Sequence, residues 1–441
     1  MYRRISILFL VLLAAAQLHA QQAEKKLSLK EAIELGVTNS KQLAISSGKV
    51  KEAQARTAQA VDKIWPEVGV SGMFLHVNTP NVSLSQPADN SGSSSDSPLA
   101  AFSNLHNVAL LQASASMPVF NGFRYRNNRM MTEYLEQAAK YDVQTTKGTV
   151  TLNTIKAVYQ YFEMLETRRT VQETLKRQQQ RVTEFKNQEA QQVLTRNDRL
   201  KAELQMNNVE LALTEINNNV KLAEYNLVVL LGLPEETTIT LDTAGMFEIP
   251  KLGAIDEYVQ AGLTNRGDIR SSEFQMKASE SNYKMARANR LPTLSLTAGY
   301  VNAYIPNVVN ITNALNAGVS LKYSITGAIH ASHGMQEAKA RQEEAIATQQ
   351  LAVDQTKVKV HQKYLKCVEQ NEKLVITERS IVQAQENYQI SQNKYGQGLL
   401  ILSDYLDADT SLLQAQINHS TARADAVIAY YDLQESAGNL Q

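Results

Sequence analysis

Three segments of the chain alternate apolar and polar residues with a period of two, and a fourth, from Val68 to Val77, matches this pattern less well. The pattern is typical of strands whose two faces meet different surroundings. The alternation is clearest after Pro292, where every second residue from Leu294 to Tyr300 is apolar. Each segment is close to the ~9–11 residues with which a tilted strand crosses a bilayer, with lipid on one face and water on the other. A soluble β-sandwich edge is the alternative interpretation. The predicted strands are residues 67–78, 107–120, 292–301 and 314–326.

Each strand pair is followed by a long segment with the character of helices. No proline interrupts residues 121–233 or the chain after Pro306, so long uninterrupted helices can form. The apolar residues between Leu402 and Tyr431 recur mostly three, four or seven positions apart, which indicates a coiled-coil-like stripe. The sequence therefore predicts two long helical hairpins, over 122–232 and 327–438.

The chain contains two copies of this arrangement of strands and hairpin. Thr38 with Asn39 recurs as Thr264 with Asn265, and Trp65 with Pro66 recurs as Leu291 with Pro292 at the same spacing. The hairpins repeat at a second, shorter spacing, at which Asp198 corresponds to Asp404. We predict a first structural repeat over 21–232, an inter-repeat linker in an equatorial region over 233–257, and a second repeat over 258–441.

Four strands in one chain are too few to close a membrane barrel. The smallest such barrels have eight strands, and open strand edges are not tolerated in lipid. A chain that spans a membrane in this way must therefore oligomerise. Two copies would supply eight strands around a filled interior, and three would supply twelve around a lumen.

The first twenty residues are typical of a secretory signal peptide, predicted over 1–20. Arg3 and Arg4 precede an apolar run from Ile5 to Ala16, which is shorter than a spanning helix requires. The only cysteine is Cys367, so no intrachain disulfide can form despite the exported context.

Charge and motifs point to neither nucleic acid nor catalysis. Lys plus Arg equals Asp plus Glu at 44 each, so the charge balance indicates no nucleic-acid partner. His330 and His333 are spaced to share a helix face, but no nearby carboxylate or cysteine set completes a metal site. The sequence lacks a phosphate-binding glycine loop and a serine nucleophile elbow. We expect no enzymatic activity, no metal and no cofactor.

Several motifs together resemble the TolC-like outer-membrane efflux proteins over essentially the whole mature chain. The motif residues are Leu27, Ser28, Leu29, Glu31, Ala32, Ile33, Pro118, Val119, Phe120, Asn121, Gly122, Leu230, Leu231, Gly232, Tyr395, Gly396, Gln397, Gly398, Asp404, Leu406, Asp407 and Ala408.

The resemblance implies a mixed α/β fold, mainly α. It implies a homotrimer with a transmembrane β-barrel of twelve strands in the outer membrane of a Gram-negative bacterium, continued by a periplasmic α-barrel of twelve helices. The implied function is the exit duct of a tripartite efflux or type I secretion system. Such a duct is a passive channel for small molecules or unfolded polypeptide, and its implied partners are outer-membrane lipid, a periplasmic adaptor and an inner-membrane transporter.

The resemblance also implies roles for residues at the hairpin tips. Asp404 and Asp407 match the acidic pair that lines the pore constriction, and two carboxylates three residues apart share one helix face. Threefold symmetry would turn them into two acidic rings that favour cations. A solvated helix face, or carboxylates favoured by the helix dipole, is the alternative. Asp198 and Tyr395 match the gate contacts that hold the closed tip. The tip that docks the adaptor corresponds to Val193, Leu194, Gly396, Gly398 and Leu399.

The chain departs from the family pattern at two places near the tips. Leu400 stands where some members carry an arginine that latches the gate. The first tip lacks glycine, with Ala190 and Gln192 in the region matching Gly396 and Gly398. The closing mechanism is therefore expected to differ. The competing interpretation of the whole chain is a soluble periplasmic adaptor or structural coiled-coil protein, which would have one hairpin and no duplicated strand pairs.

Overall fold

The computed structural model of the protein describes residues 24–76, 78, 107–305 and 309–440. The predicted signal peptide and the segment 79–106 lie outside these described residues. The helices are α1 Leu29–Thr38, α2 Lys41–Asp62, α3 Arg124–Ala190, α4 Arg196–Leu231, α5 Ile255–Asn265, α6 Gly267–Ala288, α7 Ile325–Gly396 and α8 Leu402–Ser436. The strands are β1 Glu24–Leu27, β2 Glu67–His76, β3 Asn107–Phe120, β4 Thr238–Leu241, β5 Thr293–Ile305 and β6 Val309–Lys322.

The chain forms two compact units. Of the described residues, the helical unit contains 24–48, 140–270 and 350–440, and the sheet unit contains 49–76, 78, 107–139, 271–305 and 309–349.

In the sheet unit, four antiparallel strands follow the order β2-β3-β5-β6. The register places Val70 beside Ala113, Ala113 beside Tyr300, and Tyr300 beside Leu315. The next row on the other face runs through Ser114, Gly299 and Asn316. The alternation is therefore continued across the strands in these rows, which have one apolar and one polar face. Towards the other end of β2 and β3 the second face is apolar too, where Met73 pairs with Leu110 and Leu75 with Val108.

Three of the strands differ from the predicted bounds: β2 ends at His76 rather than at 78, and β5 and β6 are displaced at both ends. Residues 302–305 and 309–313 lie between the predicted strands 292–301 and 314–326 but belong to β5 and β6. Asn313 has a φ of 57°, and the pairing of β5 with β6 shifts register between Val301 and Ala303. This irregularity interrupts the alternation of apolar and polar residues. The alternation therefore predicts an end of β5 at 301, which is too early, and a start of β6 at 314, which is too late. At the other end, β6 stops at Lys322 because Ser324 accepts the Gly327 N–H at 3.1 Å and α7 begins at Ile325.

The helical unit is built around a core shared by three long helices. Ile155 and Tyr159 of α3, Leu227 and Leu231 of α4, and Val427 of α8 are almost completely buried together. The linker between the repeats contributes to this core through β4, which pairs in parallel with β1. Its carbonyls accept hydrogen bonds from α3, including one from the Tyr161 hydroxyl to Ile239 O at 3.0 Å.

The mixed, mainly helical fold class with two strand pairs and two long hairpins is confirmed. The arms α3 and α7 have 67 and 72 residues, the lengths that the proline-free segments allow. None of the helices among the described residues is long and apolar enough to cross a membrane.

Candidate functional site at the hairpin tips

The two hairpin tips share one backbone turn. At the first tip the Val193 N–H donates to Gln188 O at 2.9 Å, and at the second the Leu399 N–H donates to Lys394 O at 2.9 Å. This bond closes a Schellman motif, in which the residue after the helix adopts a left-handed conformation. Positions 192 and 398 correspond under the alignment of Asp198 with Asp404, so both copies end their first arm in the same way.

The left-handed residue is Gly398 at the second tip and Gln192 at the first, with φ angles of 73° and 62°. Gly396 and Ala190 are the last residues of their helices, so neither provides the turn. Glycine accepts positive φ without a steric penalty, whereas glutamine does not. The missing glycine therefore leaves the shape of the first tip intact but makes its backbone less favourable.

The residues predicted to form the docking tip divide into two sets. Val193 is 73% exposed and Leu399 is 71% exposed, and Gly396 and Gly398 are also exposed. Leu194 instead packs against the buried cluster formed by Val182, Phe185, Ala202, Leu402, Tyr405 and Leu406. Ile401, which sequence reasoning did not single out, is 66% exposed and extends the apolar tip.

The Asp198 side chain is bound by residues at the start of its own helix, α4. The Thr195 hydroxyl donates to Asp198 Oδ2 at 2.8 Å and accepts the Asp198 N–H at 3.1 Å, which caps α4. Lys201 Nζ lies 3.8 Å from Asp198 Oδ1. Within the described residues of a single chain, no hydrogen bond joins Asp198 to Tyr395.

Tyr395 belongs to an aromatic stack on the second repeat. Its ring lies 5.3 Å from that of Tyr405 and 5.9 Å from that of Phe185. Burial raises the pKa of Tyr395, and the negative charge of Asp198 raises this pKa further. The two predicted gate residues are therefore electrostatically coupled across the two hairpins.

Asp404 and Asp407 lie exposed on the first two turns of α8. Neither makes an ion pair or a side-chain hydrogen bond within the part of the chain that the structure describes. Their counterparts in the first repeat are Asp198 and Lys201, which neutralise each other, and the counterpart of the Thr195 cap is Ile401. Only the second tip thus presents two adjacent carboxylates without compensating charge.

A buried ionic cluster lies one helical turn beyond the exposed pair. The Asp409 side chain is completely buried, and Arg181 Nη1 donates to its Oδ2 at 3.0 Å. Gln178 Nε2 lies 3.3 Å from the same oxygen, and Arg177 Nη2 lies 3.8 Å from Asp409 Oδ1. The cluster links α3 of the first repeat to α8 of the second.

The aromatic stack completes the surroundings of Arg181. Its Nη2 donates to Tyr405 Oη at 3.2 Å, and its guanidinium carbon lies 4.4 Å from the centre of the Tyr405 ring. Burial works against the charged guanidinium, but Asp409 and the tyrosines outweigh it, so the pKa of Arg181 is raised. The same cluster therefore contacts the stacked tyrosines and joins the two hairpins.

Sequence reasoning missed Asp409, although the sequence contains a signal. Asp409 occupies a position of the apolar stripe, three residues after Leu406 and three before Leu412. A charged residue on a buried stripe requires a partner of opposite charge. The partner could not be named, because α3 and α8 are distant in sequence.

Comparison with known proteins identifies the class of fold. The chain superposes on the outer membrane protein VceC of Vibrio cholerae with a TM-score of 0.75 and 18% identity, covering 93% of this chain and 96% of that one. For the CmeC outer membrane channel of Campylobacter jejuni the TM-score is 0.76 and the identity 16%, with coverage of 93% and 85%. For the MtrE outer membrane channel of Neisseria gonorrhoeae the values are 0.74 and 17%, with coverage of 94% and 89%. The fold is that of outer-membrane channels.

A family model matches the second repeat. Residues 258–439 match the family model described as outer membrane efflux protein. Together with the fold, this match confirms the resemblance to TolC-like outer-membrane efflux proteins and the outer-membrane location. The matched family is defined by efflux rather than by a chemical reaction. A search of curated proteins found no match.

Proposed function

We propose that this protein is the outer-membrane exit duct of a tripartite efflux or type I secretion system. In this role it is a passive homotrimeric channel for small molecules or unfolded polypeptide, driven by an inner-membrane transporter through a periplasmic adaptor. The observation that carries the proposal is the four-stranded sheet, which has an exposed apolar face and two outer strands with one unpaired edge each.

The apolar face of the sheet is suited to lipid. Val68, Val70, Leu315 and Val319 are between 67% and 83% exposed, and the register places them on the same face as Ala113, Ala115 and Leu296. A contiguous apolar surface of this kind is unfavourable in water, whereas lipid solvates it. The opposite face carries serine, threonine, asparagine and glycine, which suits a wet interior.

The sheet edges require further copies of the chain. Among the described residues, β2 and β6 each pair on one side only, so a row of backbone N–H and C=O groups faces outwards on each. In lipid these groups must find partners, and another copy supplies them when β6 of one chain pairs with β2 of the next. Three copies close a barrel of twelve strands that is wide enough for a lumen.

The helical unit offers matching surfaces for the same assembly. On α4, Leu204 and Leu211 are 62% and 61% exposed and lie seven residues apart. On α7, Leu351, Val358 and Leu365 continue an exposed row at the same spacing. Apolar residues seven apart form a seam that another helix can cover. The proposed trimer covers both seams by packing α4 of one copy on α7 of the next.

In this assembly the tips form the gate. Asp404 and Asp407 line the constriction as two acidic rings, and Asp198 with Tyr395 makes the contacts that hold it closed. Val193, Leu194, Gly396, Gly398 and Leu399 form the tip that docks the adaptor, with Val193 and Leu399 as its exposed apolar contacts.

The mass of the detergent-solubilised particle tests this proposal. The full chain is extracted from the outer-membrane fraction, and its mass is measured by light scattering with a correction for bound detergent. Three subunits per particle are expected, with stepwise conductance after insertion into planar bilayers. A soluble monomer, or an eight-stranded dimer, would contradict the duct.

A further inference from the structure

The sheet unit contains a pocket that the duct function does not use. It has a volume of about 470 Å³ and lies where β3 leads into α3 and α6 leads into β5. We call it the junction pocket. Its lining includes Phe123, Asn127, Lys284, Arg287, Arg290 and Leu291.

The backbone at the pocket is unusual. Gly122 and Phe123 are both left-handed, with φ angles of 65° and 64°. A Cβ on Gly122 would lie 3.0 Å from Ala288 O and 3.1 Å from Leu291, so this residue must be glycine for the segment to approach α6. Phe123 has no such reason to be left-handed, and the conformation is costly for a bulky residue.

The strained residue nevertheless exposes its ring. Phe123 is 58% exposed and is supported from one side by an edge contact with Phe120, at 5.6 Å between ring centres. Leu291, on the opposite wall, is 44% exposed. An exposed aromatic ring held in a costly backbone conformation indicates that something apolar covers it when the protein is in its working environment.

The other half of the pocket is cationic. Lys284, Arg287 and Arg290 follow one another at three-residue spacing at the end of α6. Lys284 is paired with Glu280 at 2.8 Å, but Arg287 and Arg290 make no ion pair within the described residues. On α3, the first acidic residue after Asn127 of the pocket lining is Glu133, which is paired with Arg129 at 2.7 Å.

A cluster of like charges repels itself unless an anion neutralises it. Guanidinium groups bind the oxygens of a phosphate with strong, directed hydrogen bonds. The pocket thus combines a phosphate-binding rim with an apolar wall formed by Phe123 and Leu291. That combination matches a ligand with a phosphate at one end and hydrocarbon at the other.

We propose that the junction pocket binds an anionic glycerophospholipid of the outer membrane. Arg287 and Arg290 hold the phosphate, and Phe123 with Leu291 contacts the start of the acyl chains. This proposal rests on the proposed membrane function, because the lipid reaches the pocket from the bilayer around the sheet. Trp65, which precedes β2 and is 71% exposed, fits the same depth, since tryptophan favours membrane interfaces.

Native mass spectrometry of the intact, detergent-solubilised protein tests the proposal. The probes are phosphatidylglycerol and phosphatidylethanolamine of equal chain length. We expect the wild-type protein to retain phosphatidylglycerol preferentially. Arg287→Gln with Arg290→Gln should weaken this binding about tenfold or more, because two charge-assisted hydrogen bonds are lost. The matched control is Lys339→Gln with Arg341→Gln, which removes two charges from α7 outside the pocket and should leave the binding unchanged.

Two further arms distinguish a bound lipid from a free phosphate ion. Inorganic phosphate is added as a competitor, and displacement of the lipid by millimolar phosphate would overturn the proposal in favour of a free-phosphate site. Phe123→Gly suits the left-handed backbone and should leave the unfolding midpoint unchanged or higher while weakening lipid binding. Unchanged phosphatidylglycerol binding in Arg287→Gln with Arg290→Gln, or in Phe123→Gly, would also contradict it.

The subunit count and membrane fraction are recorded on the same samples. A trimer from the outer membrane without selective lipid binding would refute the lipid pocket and leave the duct intact. A soluble monomer would refute the duct itself.

Discussion

The two hairpin tips have the same backbone but are held by different chemistry. At the first tip, Arg199 forms ion pairs with Glu189 and with Glu203, the latter at 2.6 Å. The counterparts in the second repeat are Tyr405, Tyr395 and Asp409. The surface ion pairs of the first tip are thus replaced by a stack of two tyrosines and a buried carboxylate that pairs with Arg181.

The comparison teaches that duplication preserved the shape and allowed the interactions to diverge. Backbone hydrogen bonds define the turn, so it tolerates glutamine in place of glycine at its left-handed position. The side chains around the turn carry no such constraint. The second tip could therefore acquire the uncompensated pair Asp404 and Asp407, while the first tip kept Asp198 capped by Thr195 and neutralised by Lys201.

The largest difference between the tips is expected in the free energy of unfolding when the corresponding residues Asp409 and Glu203 are substituted. Asp409→Ala leaves the buried Arg181 without its carboxylate and should lower the free energy of unfolding by about 3–5 kcal/mol. Glu203→Ala, the matched control, removes ion pairs that are still partly exposed to solvent and should have a smaller effect. Denaturant unfolding followed by circular dichroism measures both.

A double variant sharpens the same comparison. Asp409→Leu with Arg181→Met replaces the pair by apolar side chains and should recover much of the loss, because neither charge is then buried. If Asp409→Ala and Glu203→Ala lowered the free energy of unfolding equally, burial would not distinguish the two tips.

The second difference is the charge that each tip exposes. Asp404→Ala with Asp407→Ala should leave the trimer intact and reduce cation selectivity about threefold or more, because two acidic rings disappear. Reversal potentials in planar bilayers under a salt gradient measure the selectivity. Glu235→Ala with Glu236→Ala removes the same charge from an exposed loop and serves as the control. Unchanged selectivity in the tip variant would exclude Asp404 and Asp407 from the constriction.

The third difference is the left-handed residue. Gln192→Gly should raise the stability of the first tip by up to about 1 kcal/mol, because glycine accepts positive φ. Gly398→Ala should lower that of the second tip by about 1–2 kcal/mol. Hydrogen exchange of the tip amides reports each effect locally. Slower exchange in Gly398→Ala would contradict the shared turn.

The smallest effect is an opposite response to pH. Burial raises the pKa of Tyr405, and its hydrogen bond with Tyr388 raises this pKa further. The stabilisation by protonated Tyr405 is therefore complete below pH ~10, which is the pKa of tyrosine in the unfolded chain. It is lost as the pH rises through the raised pKa of Tyr405. The hydrogen bond from Arg199 lowers the pKa of Glu203. The stabilisation by ionised Glu203 is present above pH ~4.3, which is the pKa of glutamate in the unfolded chain. It is lost as the pH falls through the lowered pKa of Glu203.

Unfolding midpoints as a function of pH measure this difference. Tyr405→Phe should reduce the alkaline loss of stability only, and Glu203→Gln should reduce the acid loss only. If Glu203→Gln removed the decrease in stability at alkaline pH, the assignment of that decrease to the second tip would be wrong.

Local patterns in the sequence determined the elements of this protein. The alternation around Leu294 and Leu315 predicts strands with one apolar face, because strand side chains alternate regardless of what they pack against. The absence of proline allows the long arms α3 and α7 in the same way. The duplication predicts the correspondence of the tips, since positions such as Asp198 and Asp404 align through the sequence repeat alone.

Only the tertiary structure decided which side chains meet across the hairpins. The burial of Asp409 against Arg181 and the junction pocket behind Phe123 each depend on elements that are remote in sequence. Local periodicity places a residue on a face but does not identify the element that covers the face. The physical reason is that burial, charge compensation and backbone strain are properties of neighbours in space, and these neighbours are set by the packing of one repeat against the other.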